Sequence, residues 1–185
     1  MSLTSVKKTV MTAACSALCV ILPMIFHSFP NGGSIFLPMH IPVLLCGFIC
    51  GWPYGLLCGM AGPVLSSLIT GMPPAAVLPA MMIECAVYGG VVGFMMTKIR
   101  TGNYYVDLYT CLITAMLLGR IASGVVKALI FAPETTLAVW AVSSFVTALP
   151  GIALQLLLLP SLVFALTKAR IIPERYPKGA ANGKA

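Results

Sequence analysis

A glutamate and two basic side chains sit inside stretches of this chain that are otherwise apolar: Glu84, Arg120 and Lys127. A charge in a segment apolar enough to enter a bilayer is costly, so each calls for a partner, an aqueous cavity or a ligand. Arg120 and Lys127 are seven residues apart, which places them on one helical face with Ser123 and Gly124 between them. Gly119 and Gly124 thin that helix around the arginine and leave room for a neighbour or a ligand. Tyr88 follows Glu84 by one turn. Two readings are open. In one, Glu84 and Arg120 form a structural ion pair between two helices, and Lys127 snorkels to the interface. In the other, two positive charges against one negative leave about one positive charge for an anionic ligand such as a carboxylate. His40, at the start of an apolar run, and Asn31, in the Gly/Pro-rich stretch before it, complete the candidate binding set.

Other chemistries find little support. Cys15 and Cys19, like Cys46 and Cys50, are four apart within apolar runs, and no CxxC pair occurs among the seven cysteines. With only two histidines to complete a metal site, the thiols read as small apolar packing residues, and neither metal nor cofactor is expected. GxSxG, HExxH and Walker A patterns are all missing, so an enzyme is not expected. The Gly-x3-Gly spacings at Gly47–Gly51 and Gly55–Gly59 suit helix packing, not a phosphate cradle.

The elements that must position these residues follow from composition. Of 185 residues, 59% are hydrophobic and 8% charged. A soluble domain is typically about 25% charged, so lipid is the simpler solvent. Six apolar segments are expected at residues 9–26, 38–51, 54–70, 75–97, 108–131 and 141–167, each read against a hydrocarbon core of about 30 Å. The fold class is therefore all-α, an integral membrane bundle of six transmembrane helices. Residues 1–172 form the transmembrane domain and 173–185 a flexible polar tail. The first segment follows Lys7 and Lys8 but leads into His27-Ser28-Phe29-Pro30 without a cleavage pattern, and reads as an uncleaved helix.

The net charge of +7 is a topology signal. Lys7, Lys8, Lys98, Arg100, Lys168, Arg170, Arg175, Lys178 and Lys184 all fall on one side of this map, and the opposite loops hold no Lys or Arg. The positive-inside rule puts both termini in the cytoplasm. No basic stripe interleaved with aromatics is present, and no nucleic-acid partner is expected. On this map Glu84 lies about 13–14 Å below the outer end of the fourth span and Arg120 about 18 Å up the fifth, with Lys127 near the outer boundary. The outer loop over residues 27–38, HSFPNGGSIFLP, carries Gly, Pro and Asn but no Lys, Arg, Asp or Glu, and reads as a segment that folds over the bundle.

These residues resemble a family. The first helix carries Ala13-x3-Ala17 after a basic start, and residues 38–74 read PMHIPVLLCGFICGWPYGLLCGMAGPVLSSLITGMPP. Over about residues 7–170 the chain resembles the substrate-binding S components of energy-coupling factor (ECF) transporters, the vitamin importers of bacteria and archaea. Within that family it looks most like the vitamin-type group that contains predicted pantothenate transporters. The resemblance implies a multi-pass protein of a prokaryotic plasma membrane that captures a water-soluble vitamin at its extracellular half. The loop between the first two helices would act as a gate. Ala13 and Ala17 would meet a transmembrane coupling subunit that works with two ATPases. S components for vitamin B6 or hydroxymethylpyrimidine are the near alternatives. A small autonomous secondary transporter is the alternative class, though no inverted repeat is visible.

Overall fold

The computed structural model describes residues 3–26, 35–130, 140, 142–172 and 176. Helices dominate: α1 (Ser5–Phe26), α2 (His40–Cys50), α3 (Trp52–Thr70), α4 (Leu78–Lys98), α5 (Tyr104–Ile130) and α6 (Leu149–Lys168), the last preceded by a π-helical turn at Val142–Val146. Among the described residues five helices are long and apolar enough to cross a membrane, and α2 is the shorter sixth. The six-helix bundle expected from the sequence is compatible with this arrangement.

Three of the differences from the expected map have a clear local reason. α2 has 11 residues, about 16 Å, or half of a typical hydrocarbon core. It stops at Gly51, whose φ of 92° is a conformation that disfavours any side chain, and Trp52-Pro53 then opens α3. α5 begins four residues earlier than expected, at Tyr104. Asn103 caps it through Oδ1, which accepts from the Tyr105 amide at 3.1 Å. Asp107, which reads as a loop residue, lies in the first turn of α5 and is fully buried. Its carboxylate accepts from the amide and hydroxyl of Thr101 at 2.9 and 2.7 Å and from the Tyr176 hydroxyl at 2.7 Å. The expected sixth span is split. The π-helical turn ends at Val146, and Pro150 occupies the first turn of α6.

The tightest packing joins α3 to α4, followed by α4 to α5; α6 packs less closely, mainly on α2 and α5. Glycine explains the first interface. Gly55 and Gly89 press backbone to backbone, Gly59 lies on the Cys85–Ala86 backbone, and Gly93 lies on the Gly51–Trp52 backbone, so a Cβ at any of them would collide with main chain. Helices that touch along small residues gain close van der Waals contact where lipid offers no hydrophobic driving force. α2 fills the centre, with eight of its residues buried. All seven cysteines are free and buried. Several hydrogen-bond across helices, as where Cys46 Sγ lies 3.5 Å from both Thr12 Oγ1 and the Tyr54 carbonyl, and Cys19 Sγ donates to the Met39 carbonyl at 3.7 Å.

The described basic residues outside the helix interiors gather at one end. Lys7 and Lys8 open α1, Lys98 closes α4 and Lys168 closes α6. Cys50, at the end of α2, reaches the Lys8 carbonyl at 3.6 Å, and Gly93 meets Trp52, so these helix ends share one level.

Candidate substrate site

Because α2 covers only half the bundle, its first residue, His40, starts deep inside and is 1% exposed. The preceding residues 35–39 run as non-helical or single-turn chain among the helices. Cys19 of α1 binds the Met39 carbonyl. Gln155 of α6 donates to the Leu37 carbonyl at 3.5 Å, and Gly151, one turn before it, receives the Ile35–Phe36 backbone. Irregular backbone at membrane depth is tolerated where protein surrounds it.

His40 faces α4. Its Nε2 lies 3.5 Å from Glu84 Oε1, too long for a good hydrogen bond but close enough for an ion pair when the ring is protonated. Tyr88 donates its hydroxyl to the same oxygen at 3.1 Å, and its ring sits 5.0 Å from the imidazole at an interplanar angle of 54°. α5 approaches from the other side. Gly119 lies directly against the Tyr88 ring, where a larger residue would displace it. That contact brings Ser123, buried on the same helix, to face the Glu84 carboxylate.

Arg120 is 4% exposed and forms no ion pair with Glu84. Nη1 instead donates to the Ser144 carbonyl, and the guanidinium carbon lies 5.8 Å from the centre of the Phe145 ring. Both partners belong to the π-helical turn, whose wider winding is a common feature of functional sites. Nε and Nη2 have no hydrogen-bond partner among the described residues, nor do the two ring nitrogens of His40 or Oε1 of Gln155. Buried polar atoms are normally satisfied, so these open positions set this part of the bundle apart from the rest.

The structure thus brings Glu84, Tyr88, His40 and Ser123 together and sets Arg120 beside them, close enough to act on Glu84 through its field. Lys127, in the last turn of α5, is half-buried and joins no ion pair among the described residues. Asn31 and most of the expected gate lie outside the described residues. Ser144, Phe145 and Gln155 were missed by sequence reasoning. Gln155 did leave a signal, as the one amide side chain in the apolar run of α6. Ala13 and Ala17 are exposed on α1, opposite the buried Cys15 and Cys19. Among the described residues no cluster of His, Cys, Asp or Glu has metal-holding geometry.

The family model described as ECF transporter, substrate-specific component matches residues 7–171. The chain belongs to this family. The family is one of transporter subunits, not of enzymes, and its S components bind a small molecule and associate with an ECF module. Membership agrees with five long apolar helices in a multi-pass membrane protein. No curated protein and no solved structure gives a significant match to this S component.

Proposed function

We propose that this S component captures a water-soluble vitamin that carries a carboxylate, with pantothenate the best fit, for import through an ECF module in a prokaryotic plasma membrane. One observation carries the reading. Nε and Nη2 of Arg120 form one edge of the guanidinium, both are buried, and neither has a partner among the described residues. Two parallel N–H donors at that edge match the two oxygens of a carboxylate. The Ser144 carbonyl and the Phe145 ring hold the opposite side of the guanidinium and aim the free edge.

The remaining groups suit the rest of such a molecule. Pantothenate offers two hydroxyls and an amide besides its carboxylate. Glu84 accepts a substrate hydroxyl, and Ser123 and Gln155 serve further polar atoms. Lys127 adds positive potential toward the outer end. Residues 27–38, Asn31 among them, close over the bound vitamin, and Ala13 and Ala17 meet the coupling subunit that links the chain to two ATPases. A second reading rests on the His40–Tyr88 ring pair beside Glu84, which would suit vitamin B6 or hydroxymethylpyrimidine, neither of which needs a carboxylate site.

Equilibrium binding by the purified chain separates the two. Pantothenate should bind far more tightly than its uncharged alcohol, pantothenol, and Arg120→Gln should weaken pantothenate binding by roughly 30-fold or more, since truncating one partner of a buried charge pair costs about 2–5 kcal/mol. Equal affinity for acid and alcohol in the folded wild-type chain would reject the carboxylate site. Tight binding of pyridoxine or hydroxymethylpyrimidine would then establish the second reading.

A further inference from the structure

A groove of about 690 Å³ runs along the outer surface where α3, α4 and α5 meet, away from the substrate site. Its walls are apolar, with Trp52 and Leu56 on one bank, Leu118 on the other, and Ala86, Gly90 and Phe94 of α4 along its floor. Those three floor residues step by four and make a single helical stripe, and the next member of the stripe is Lys98. Gly90 opens the floor. A Cβ there would only touch Leu56, at 3.7 Å.

The groove has a direction. From Ala86 to Lys98 the stripe rises about 18 Å, close to the hydrocarbon depth of one leaflet, about half of 30 Å. One end lies where the basic residues gather: Lys98 Nζ sits 5.9 Å over the Phe94 ring, and Lys98 and Arg100 are both exposed. Trp52, 50% exposed at the start of α3, stands at the same end, the depth at which indoles anchor membrane proteins to the headgroup region.

We propose that this groove is a lipid site that seats one acyl chain of an anionic phospholipid from the leaflet at the basic end, with the headgroup phosphate held by Lys98 and assisted by Arg100. Length, apolar lining and a cationic mouth together select this occupant. A neutral lipid would leave the cationic mouth unmatched.

Trp52 is the natural probe, because Trp140 is the only other tryptophan. The full chain carrying Trp140→Phe is reconstituted into phosphatidylcholine vesicles containing a fixed fraction of brominated phosphatidylglycerol or brominated phosphatidylcholine, and Trp52 fluorescence is read. The brominated anionic lipid should occupy the site with about a five-fold preference, equivalent to about 1 kcal/mol from charge at the mouth. Lys98→Gln, at an exposed position that leaves the fold intact, should abolish the headgroup preference while contact quenching persists. Gly90→Leu should lower quenching by both lipids. Equal quenching by the two lipids in the parent chain would overturn the proposal, as would a preference that survives both substitutions. Loss of all quenching as the protein-to-lipid ratio rises would also overturn it, because a second copy of the chain would then be the occupant.

Discussion

Along the inner seam of α3 and α4, backbones touch at glycine after glycine; where α4 faces α5 and the π-helical turn, polar atoms are buried without hydrogen-bond partners among the described residues. The first interface is built for a single geometry. The second carries groups that cost free energy in the unliganded chain. Under the proposed function, α1–α4 form the frame, and Arg120, Ser144, Phe145 and Gln155 belong to the receiving side. A capture protein needs both, since a ligand can repay unsatisfied groups only where a rigid neighbour keeps them from collapsing onto one another.

The comparison is broken most directly at its rigid half. Gly55→Leu places a side chain against the Gly89 backbone and should destabilise the chain by about 3 kcal/mol or more. The expected outcome is loss of a monodisperse species in detergent and a large fall in thermal midpoint. A variant that folds normally would show that α3 and α4 can separate without penalty. Arg120→Gln should do the reverse, with the thermal midpoint nearly kept while pantothenate affinity falls as stated above. If midpoint and affinity fall together, Arg120 belongs to the frame.

A smaller effect is expected at the seam between the halves. Tyr88→Phe removes the hydroxyl that Glu84 accepts but keeps the ring on Gly119. A hydrogen bond to a charged group is worth about 1.5–3 kcal/mol, which should appear partly as lost stability and partly as affinity weakened by about 10-fold; calorimetric titration beside thermal unfolding divides the two. The smallest effect on the isolated chain belongs to α1. Ala13→Leu with Ala17→Leu, at exposed positions, should leave vitamin binding unchanged and reduce co-purification with a coupling subunit. Unchanged assembly would move the contact elsewhere.

How much of this was legible in the sequence depended on what each residue type announces. Apolar runs located α1, α3 and α4 closely, because lipid-facing helices advertise themselves by length. Charge asymmetry grouped the helix ends, and the Gly-x3-Gly spacing at Gly55–Gly59 marked the α3–α4 contact. Asp107 misled the start of α5, since a carboxylate reads as a loop residue until its donors, Thr101 and Tyr176, are seen around it. Glu84 and Arg120 were recognised as buried charges at comparable depth. Spacing along one helix gives depth but not the rotation of one helix about its axis relative to another, so the charge partner that the structure gives Glu84 from another helix is His40 of α2, not Arg120. Gln155 escaped because an amide carries no charge to stand out among leucines.

The burial of every cysteine has a use of its own. With all seven thiols free and shielded from solvent, alkylation can proceed only when the surrounding helices part, so the rate of maleimide labelling becomes a clock for opening motions. Cys15, Cys19, Cys46, Cys50, Cys58 and Cys85 time α1–α4, and Cys111 times α5. Mass spectrometry of partly labelled chains would read these clocks separately, without a single engineered residue.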